Sequence, residues 1–131
     1  YEHHVLPHSR RVFAELADRH PGVPSIHFGI GCDHLLASMW SAGPSVIGLD
    51  WRTPIADARR RLGSDTPVQG NLDPALVLAG TDAALAGTRA VLADNAGHPA
   101  HVFNLGHGVH PDTDPDVLAA VVDLVHGETA G

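Results

Sequence analysis

Apolar residues along this chain follow two kinds of pattern that take turns. Short, nearly unbroken apolar runs alternate with longer stretches in which apolar side chains recur at helical spacing. From about Glu2 to Arg19, Val5, Val12, Phe13 and Leu16 stand among polar positions as an approximate helical stripe, and Pro21-Gly22 stops it. Ser25-Ile26-His27-Phe28-Gly29 reads as a strand. Asp33 then caps a helix through about Trp40, with Leu35, Leu36 and Met39 on its apolar side and Gly43 as terminator. Val46-Ile47-Gly48-Leu49-Asp50 is the next strand, almost continuously apolar as a strand buried on both faces should be.

Thr53-Pro54 supplies an N-cap followed by Pro at the first helical position, and Gly63 closes that helix. Pro67-Val68-Gln69-Gly70-Asn71-Leu72 is the third strand, and Asp73-Pro74 repeats the cap-plus-Pro start. A longer helix runs from near Thr81 to Ala93 with Leu85, Val91 and Leu92 inward. His101-Val102-Phe103-Asn104-Leu105 is the fourth strand. Asp114-Pro115 opens a last helix, whose Val117, Leu118, Val121, Val122 and Val125 form a broad apolar face ending at Gly127. Strict strand-helix alternation predicts an α/β fold, with a parallel sheet and right-handed crossovers. No linker, low-complexity tract or composition shift divides the chain, so residues 1–131 form one unit without an internal boundary.

Composition narrows the function classes. At 44% hydrophobic residues the 131-residue chain can fill a core, and without an apolar run near twenty it predicts no transmembrane helix. All eight basic residues are Arg, against 15 acidic ones, for a formal net charge of −7. That balance argues against a sequence-independent grip on nucleic acid, although a local Arg cluster for an anionic small molecule remains compatible with it. The single Cys32 forms no internal disulfide and no signal peptide is visible, so a reducing cytoplasm is the default location. Opening at Tyr1 rather than Met suggests processing or a fragment. The eleven His residues are scattered, and most are read as solvated.

Polar residues gather at the C-terminal ends of all four strands: Gly29 onward, Asp50-Trp51, Asn71 with Asp73, and Gly106-His107-Gly108. Both a small doubly wound sheet and half of a (β/α)8 barrel place ligands at that edge, so placement alone leaves the two open. Gly29-Ile30-Gly31 lacks the third glycine of a dinucleotide fingerprint. Between two glycines the backbone at His107 can approach a ligand closely, and its imidazole can serve as acid, base or hydrogen-bond donor. Asn104 closes the turn before it. Asp73 reads first as a helix cap, whereas Asn71 fits a cleft-facing or a structural role equally well.

Three segments taken together are specific. Gly48-Leu49-Asp50-Trp51, Val68-Gln69-Gly70-Asn71-Leu72-Asp73-Pro74 and Phe103-Asn104-Leu105-Gly106-His107-Gly108-Val109, in this order and spacing, closely resemble the C-terminal portion of the uroporphyrinogen decarboxylase family. Ile55-Ala56-Asp57-Ala58-Arg59-Arg60-Arg61 between them is similar to its bacterial form. The resemblance covers nearly the whole chain and implies a (β/α)8 TIM barrel, of which this chain supplies about the last four β/α units.

It also implies a cofactor-free carboxy-lyase reaction of haem biosynthesis. The four acetate side chains of uroporphyrinogen lose carbon dioxide to give coproporphyrinogen, with a protonated pyrrole as the electron sink. The enzyme must stabilise that cation, hold many carboxylates and move protons. Of the family's recognised polar site residues only the His of Leu-Gly-His-Gly, here His107, falls within this chain. The pyrrole-facing Asp, the carboxylate-holding Arg pair and the Tyr and Ser contacts would lie upstream. His107 is therefore the catalytic candidate, and His107, Asp50, Asn71 and Arg52 are the candidates for substrate contact. Arg52 beside the Asp50 strand end would add positive charge, or is an exposed loop charge. The resemblance further implies a homodimer, a requirement for the N-terminal half of the barrel, and inactivity of this segment alone.

Two other classes compete. Relatives on the same barrel, the corrinoid and cobalamin-independent methyltransferases, use His and Cys ligands to zinc, and His27, Cys32 and His34 are donors of that kind. Their spacing differs from the relatives' and a second Cys is missing, so Cys32 reads better as a buried small hydrophobe and no metal is expected. A non-enzymatic half-barrel module is the third reading. Arg59, Arg60 and Arg61, consecutive on one helix, are expected on a solvated face or interface.

Overall fold

A computed structural model describes residues 1–129. Its first helix, α1 (Leu6–Arg19), starts four residues later than the sequence pattern suggests. The carbonyl of Tyr1 accepts from the amides of His4, Val5 and Leu6, forming a separate turn, and Pro7 then opens the helix. The expected stripe stays largely in the open: Val5, Val12 and Leu16 are exposed, and Leu6 is the buried residue of α1.

Strand β1 (Ile26–Phe28) leads through a 3-10 turn, Asp33–Leu35, straight into α2 (Leu36–Trp40). Asp33 lies inside that turn and its side chain caps nothing, contrary to the expected N-cap role. After β2 (Val46–Gly48) comes α3 (Ile55–Leu62), whose N-cap is Pro54 rather than Thr53. Proline offers no capping oxygen, so a distant residue does it. Asp94 Oδ2 accepts from the amides of Ile55 at 2.5 Å and Ala56 at 3.3 Å. Strand β3 (Val68–Leu72) is followed by α4 (Pro74–Leu78), with Asp73 capping it through a 2.9 Å bond from Ala75 N as the sequence predicts. Helix α5 (Thr81–Asn95), β4 (His101–Leu105) and α6 (Pro115–Thr129) complete the order. Gly127 does not end α6 but lies within it, and Val122 on its expected apolar face is exposed.

The sheet is parallel with strand order β1-β2-β3-β4. Sequential order without reversal, with right-handed crossovers, sends every helix to the same side, whereas a doubly wound sheet requires a switch point. Cross-strand rows show the asymmetry. His27, Ile47, Val68 and His101 form one row, in which Ile47 and Val68 are fully buried beneath α2 and α3. Phe28, Gly48, Gln69 and Val102 form the next row on the opposite face, where Phe28 and Val102 are exposed. Among the described residues the helices lie on one face and none on the other, the arrangement of a barrel segment with its bare face toward the barrel interior.

Two clusters fill the helix side. Leu36, Met39, Ile47, Leu49, Ile55, Ala58 and Val68 pack between α2, α3 and the first strands. Leu72, Val77, Ala84, Val117 and Val121 pack between α4, α5, α6 and the end of β3. Cys32 packs half-buried against the first cluster rather than inside it. Among the described residues no helix is long and apolar enough to cross a membrane.

Arg59 overturns its expected placement. It is only 6% exposed, while Arg60 and Arg61 face solvent. Its Nη1 donates to the carbonyls of Ser64 at 2.8 Å and Thr66 at 2.9 Å. Its Nη2 donates to Asn95 Oδ1 at 3.1 Å and to the Ala100 carbonyl at 3.0 Å. One guanidinium thus ties the end of α3 to the segments entering β3 and β4. Burial lowers its pKa from the usual arginine value, opposed by the charge of Asp65. Ile55, Ala58, Arg59 and Leu62 recur at i, i+3, i+4 and i+7, the inward stripe of α3. That spacing is the signal that singles out Arg59 from its neighbours.

Candidate active site

At the C-terminal edge of the sheet, the turn after β2 is fixed from three directions. Asp50 is 2% exposed. Its Oδ2 accepts from Gly31 N at 2.6 Å, and its Oδ1 accepts from Arg52 N at 3.0 Å and more weakly from the Thr53 hydroxyl at 3.4 Å. A buried carboxylate with both oxygens occupied by backbone and hydroxyl donors is a brace: it ties the turn after β1 to the turn after β2. Arg52 adds a longer ionic contact, Nη1 to Asp50 Oδ2 at 3.9 Å.

Asn71 fixes the same turn from β3. Its Nδ2 donates to the carbonyls of Asp50 at 3.0 Å and Thr53 at 2.5 Å, and the residue is 7% exposed. The approach that makes this possible needs glycine just before it. Gly70 has φ +135°, and a Cβ there would sit 2.6 Å from the Leu49 carbonyl oxygen. The Gly70 carbonyl is held in turn by His101 Nε2 at 2.7 Å. Burial lowers the His101 pKa from the usual histidine value; the bond to Gly70 opposes this and the charge of Arg59 adds to it.

The end of β4 is different. Gly106 N donates to Leu72 O at 2.7 Å, and a Cβ on Gly106 would lie 2.3 Å from Trp51 N and 2.9 Å from Trp51 Cβ. Glycine is therefore required for the close approach of β4 to Trp51. One residue later His107 is exposed, and among the described residues its imidazole has no hydrogen-bond partner. It meets Trp51 edge on, ring centroids 6.1 Å apart at 87°. Arg52 places its guanidinium 3.9 Å from the centroid of the same indole. Nothing lies within 4 Å of a Cβ built on Gly108.

His107 borders two clefts. One, of about 420 Å³, includes Phe28, Gln69 and Asn104 and so opens on the bare face of the sheet. The other, of about 450 Å³, runs between Trp51, Pro74, Leu78 and Val109. The four candidates from the sequence therefore divide. Asp50 and Asn71 are buried in one hydrogen-bonded brace, Arg52 projects from that brace, and His107 stands on the adjoining strand end with its ring free.

Sequence reasoning passed over Trp51, although it belongs to the Gly-Leu-Asp-Trp segment. An aromatic residue next to a candidate Asp at a strand end is the signal it offered. Asn104, expected to close the turn, has its Oδ1 accepting from Leu105 N at 2.8 Å. His27 Nδ1 lies 3.1 Å from Met39 O and its ring packs on Phe13 at 5.0 Å, while Cys32 Sγ lies 3.4 Å from Ile30 O. Among the described residues no three His, Cys, Asp or Glu side chains gather as a metal-holding group, so His27, Cys32 and His34 form no such set.

The family model described as Uroporphyrinogen decarboxylase (URO-D) matches residues 1–128. The chain is 55% identical over 130 residues to the uroporphyrinogen decarboxylase of Salinispora tropica, covering 99% of this chain and 34% of that protein. It is 53% identical over 131 residues to that of Nocardia farcinica, covering 96% of this chain and 36% of the relative. With that of Saccharopolyspora erythraea it shares 50% over 138 residues, 99% of this chain and 38% of the relative. The chain spans about a third of the length of these curated relatives.

Proposed function

Because the chain belongs to the uroporphyrinogen decarboxylase family, we propose that it forms the C-terminal part of an enzyme that decarboxylates uroporphyrinogen to coproporphyrinogen. The observation that carries this reading beyond family membership is His107, exposed and without a hydrogen bond among the described residues, between two clefts at the C-terminal edge of a barrel-like sheet. That edge is where barrels hold their substrates.

The reaction needs no cofactor in this reading. A proton added to a pyrrole carbon makes the ring cationic. The bond from the acetate methylene to its carboxyl group then breaks, carbon dioxide leaves, and the electron pair enters the ring. A proton on the exocyclic carbon completes the methyl group, and the ring returns its own. His107 hydrogen-bonds the tetrapyrrole or one of its carboxylates and positions it for these transfers. Arg52 meets a carboxylate at the rim. Asp50 and Asn71 act one layer behind, holding the turn that carries Arg52. The pyrrole-facing carboxylate and the principal cationic pocket come from the N-terminal half of the barrel, whose strands cover the bare face of this sheet. A chain of net charge −7 is a poor lure for an octa-anionic substrate, which supports that division. The same reading places the enzyme in the cytoplasm as a homodimer.

The test is direct. A protein of full family length carrying this segment is expected to convert uroporphyrinogen to coproporphyrinogen without added metal or cofactor, and residues 1–131 alone are expected not to. No product from the long protein overturns the activity; product from the segment alone overturns the need for the other half.

A further inference from the structure

We propose that Trp51 is a positioning residue that sets affinity for carboxylate-rich substrates, holding the Arg52 guanidinium on its ring and packing at right angles to the His107 imidazole, so that both are presented together beside the cleft that Trp51 and His107 line. This rests on the substrate class proposed above and assigns a residue to which that reading gave no role.

The backbone of Trp51 is held on both sides. Before it stands the buried Asp50, whose carboxylate accepts from Arg52 N at 3.0 Å and whose carbonyl accepts from Thr53 N at 3.2 Å. Beside it lies Gly106, where a Cβ would clash with the Trp51 backbone at 2.3 Å, so β4 can come this close because the residue is glycine. The indole is thus fixed to two strand ends at once, β2 through its own chain and β4 through contact. Arg52, by contrast, is an exposed side chain, 59% accessible, that without a support would sample many rotamers.

The support matters because of its geometry. A guanidinium at 3.9 Å from the ring centroid uses its π-face and positive charge against the indole. Its N–H donors lie in the guanidinium plane and stay available for a carboxylate, which Arg binds in forked fashion. Asp50 Oδ2, 3.9 Å from Arg52 Nη1, is beyond a normal hydrogen bond, so it steadies the cation without occupying the fork. His107 presents its free nitrogens from the other strand end, 6.1 Å from the indole centroid to centroid. A cation and an imidazole on one aromatic wall, with Leu78 and Val109 lining the cleft beyond it, suit a flat apolar ring bearing carboxylates.

The experiment is a double-mutant cycle on equilibrium binding of uroporphyrin, the stable oxidised form of the substrate, to a protein of full family length. Arg52→Gln is expected to weaken binding about tenfold in the parent, the loss of one charge-assisted contact. In a Trp51→Leu background the same change is expected to cost less than about threefold, because the guanidinium there is no longer held. Trp51→Phe, with a smaller π-face, is expected to restore most of the Arg52 effect, which a purely space-filling role for Trp51 would not do. Equal Arg52 effects in all backgrounds overturn the proposal, as does no effect of Arg52→Gln in the parent. If Trp51→Leu does not fold, Trp51→Met takes its place as the non-aromatic background, and an undiminished Arg52 effect there overturns the proposal. Binding separates this from the proposed activity. Coupling without coproporphyrinogen formation sinks only the activity; turnover without coupling sinks only the role of Trp51. A parent that does not bind uroporphyrin overturns both.

Discussion

The ends of β2 and β4 meet at Trp51, and they are built in opposite ways. After β2, nearly every polar atom is engaged: Asp50 accepts from Gly31, Arg52 and Thr53, and Asn71 donates to the carbonyls of Asp50 and Thr53. After β4, the chain leaves its one tight contact at Gly106 and runs into open space. His107 and Val109 are exposed and Gly108 has no neighbour for a Cβ. Geometry is held at one strand end and offered at the other. A buried brace fixes position at the cost of reach, and a free imidazole has reach only because something else fixes its base.

The glycines flanking His107 test the contrast most sharply. Gly106→Ala puts a methyl group 2.3 Å from Trp51 N, so the end of β4 must move. A loss of about 3 kcal/mol is expected, the upper range of overpacking costs, read as a lowered urea midpoint of the full-length protein. Gly108→Ala, with open space around it, is expected to stay within about 0.5 kcal/mol. Equal costs would break the comparison. Asn71→Ala comes next. It leaves the buried carbonyls of Asp50 and Thr53 without their shared donor, a loss of about 2 kcal/mol in the same unfolding measurement. It should also raise amide exchange in the turn after Asp50.

His107→Asn is expected to leave unfolding unchanged within about 0.5 kcal/mol, since the ring makes no hydrogen bond among the described residues. Turnover should fall by less than roughly a hundredfold, or the pattern of partly decarboxylated products should shift, as a positioning contact rather than a general acid would give. Steady-state kinetics with product separation reads this, and unchanged kinetics and products reduce His107 to a turn residue. The smallest effect belongs to His101. Its pKa is lowered in the fold, chiefly by burial, so the fold favours the neutral ring. That contribution is complete above the unfolded value near about 6.5 and is lost as pH falls through the lowered folded value. His101→Gln keeps a donor for the Gly70 carbonyl without titrating. It should therefore make the decline of stability from neutral toward acid pH shallower, a difference visible in urea midpoints across that range.

Much of the architecture was legible because it is written in local signals. Strand runs, Asp73-Pro74 and the glycine closing α3 depend on neighbours within a few residues, and the structure places them as read. Legibility failed where the partner lies far along the chain. Asp94 caps α3 from α5, which no pattern around Thr53-Pro54 announces. Asp33 and Gly127 have the residue types of helix punctuation, yet one sits within a 3-10 turn and the other within α6. At the candidate site, the residue types pointed to the right strand ends but not to the depth of each side chain. Asp50 and Asn71 look alike in sequence to groups that face a cleft; only the carbonyls and amides around them reveal the brace. Trp51 was hidden for the converse reason, because an aromatic residue beside a strand reads as packing until the guanidinium over its ring and the imidazole beside it are seen.

Arg59, Arg60 and Arg61 are spelled identically, but the fold makes them unequal heirs. Arg60 pairs with Asp57 on the surface of its own helix, and Arg61 donates from Nη2 to the Asp33 carbonyl at 2.5 Å, contacts at the surface that cost little to lose. Arg59 spans the carbonyls of Ser64, Thr66 and Ala100 and the amide of Asn95 with one planar group. A lysine there, a point charge on a flexible stem, has no plane with which to reach those four acceptors at once. Exchange to lysine, the mildest replacement, is thus expected to cost more at position 59 than at 60 or 61: three identical letters carry unequal weight because only one of them is read by the interior.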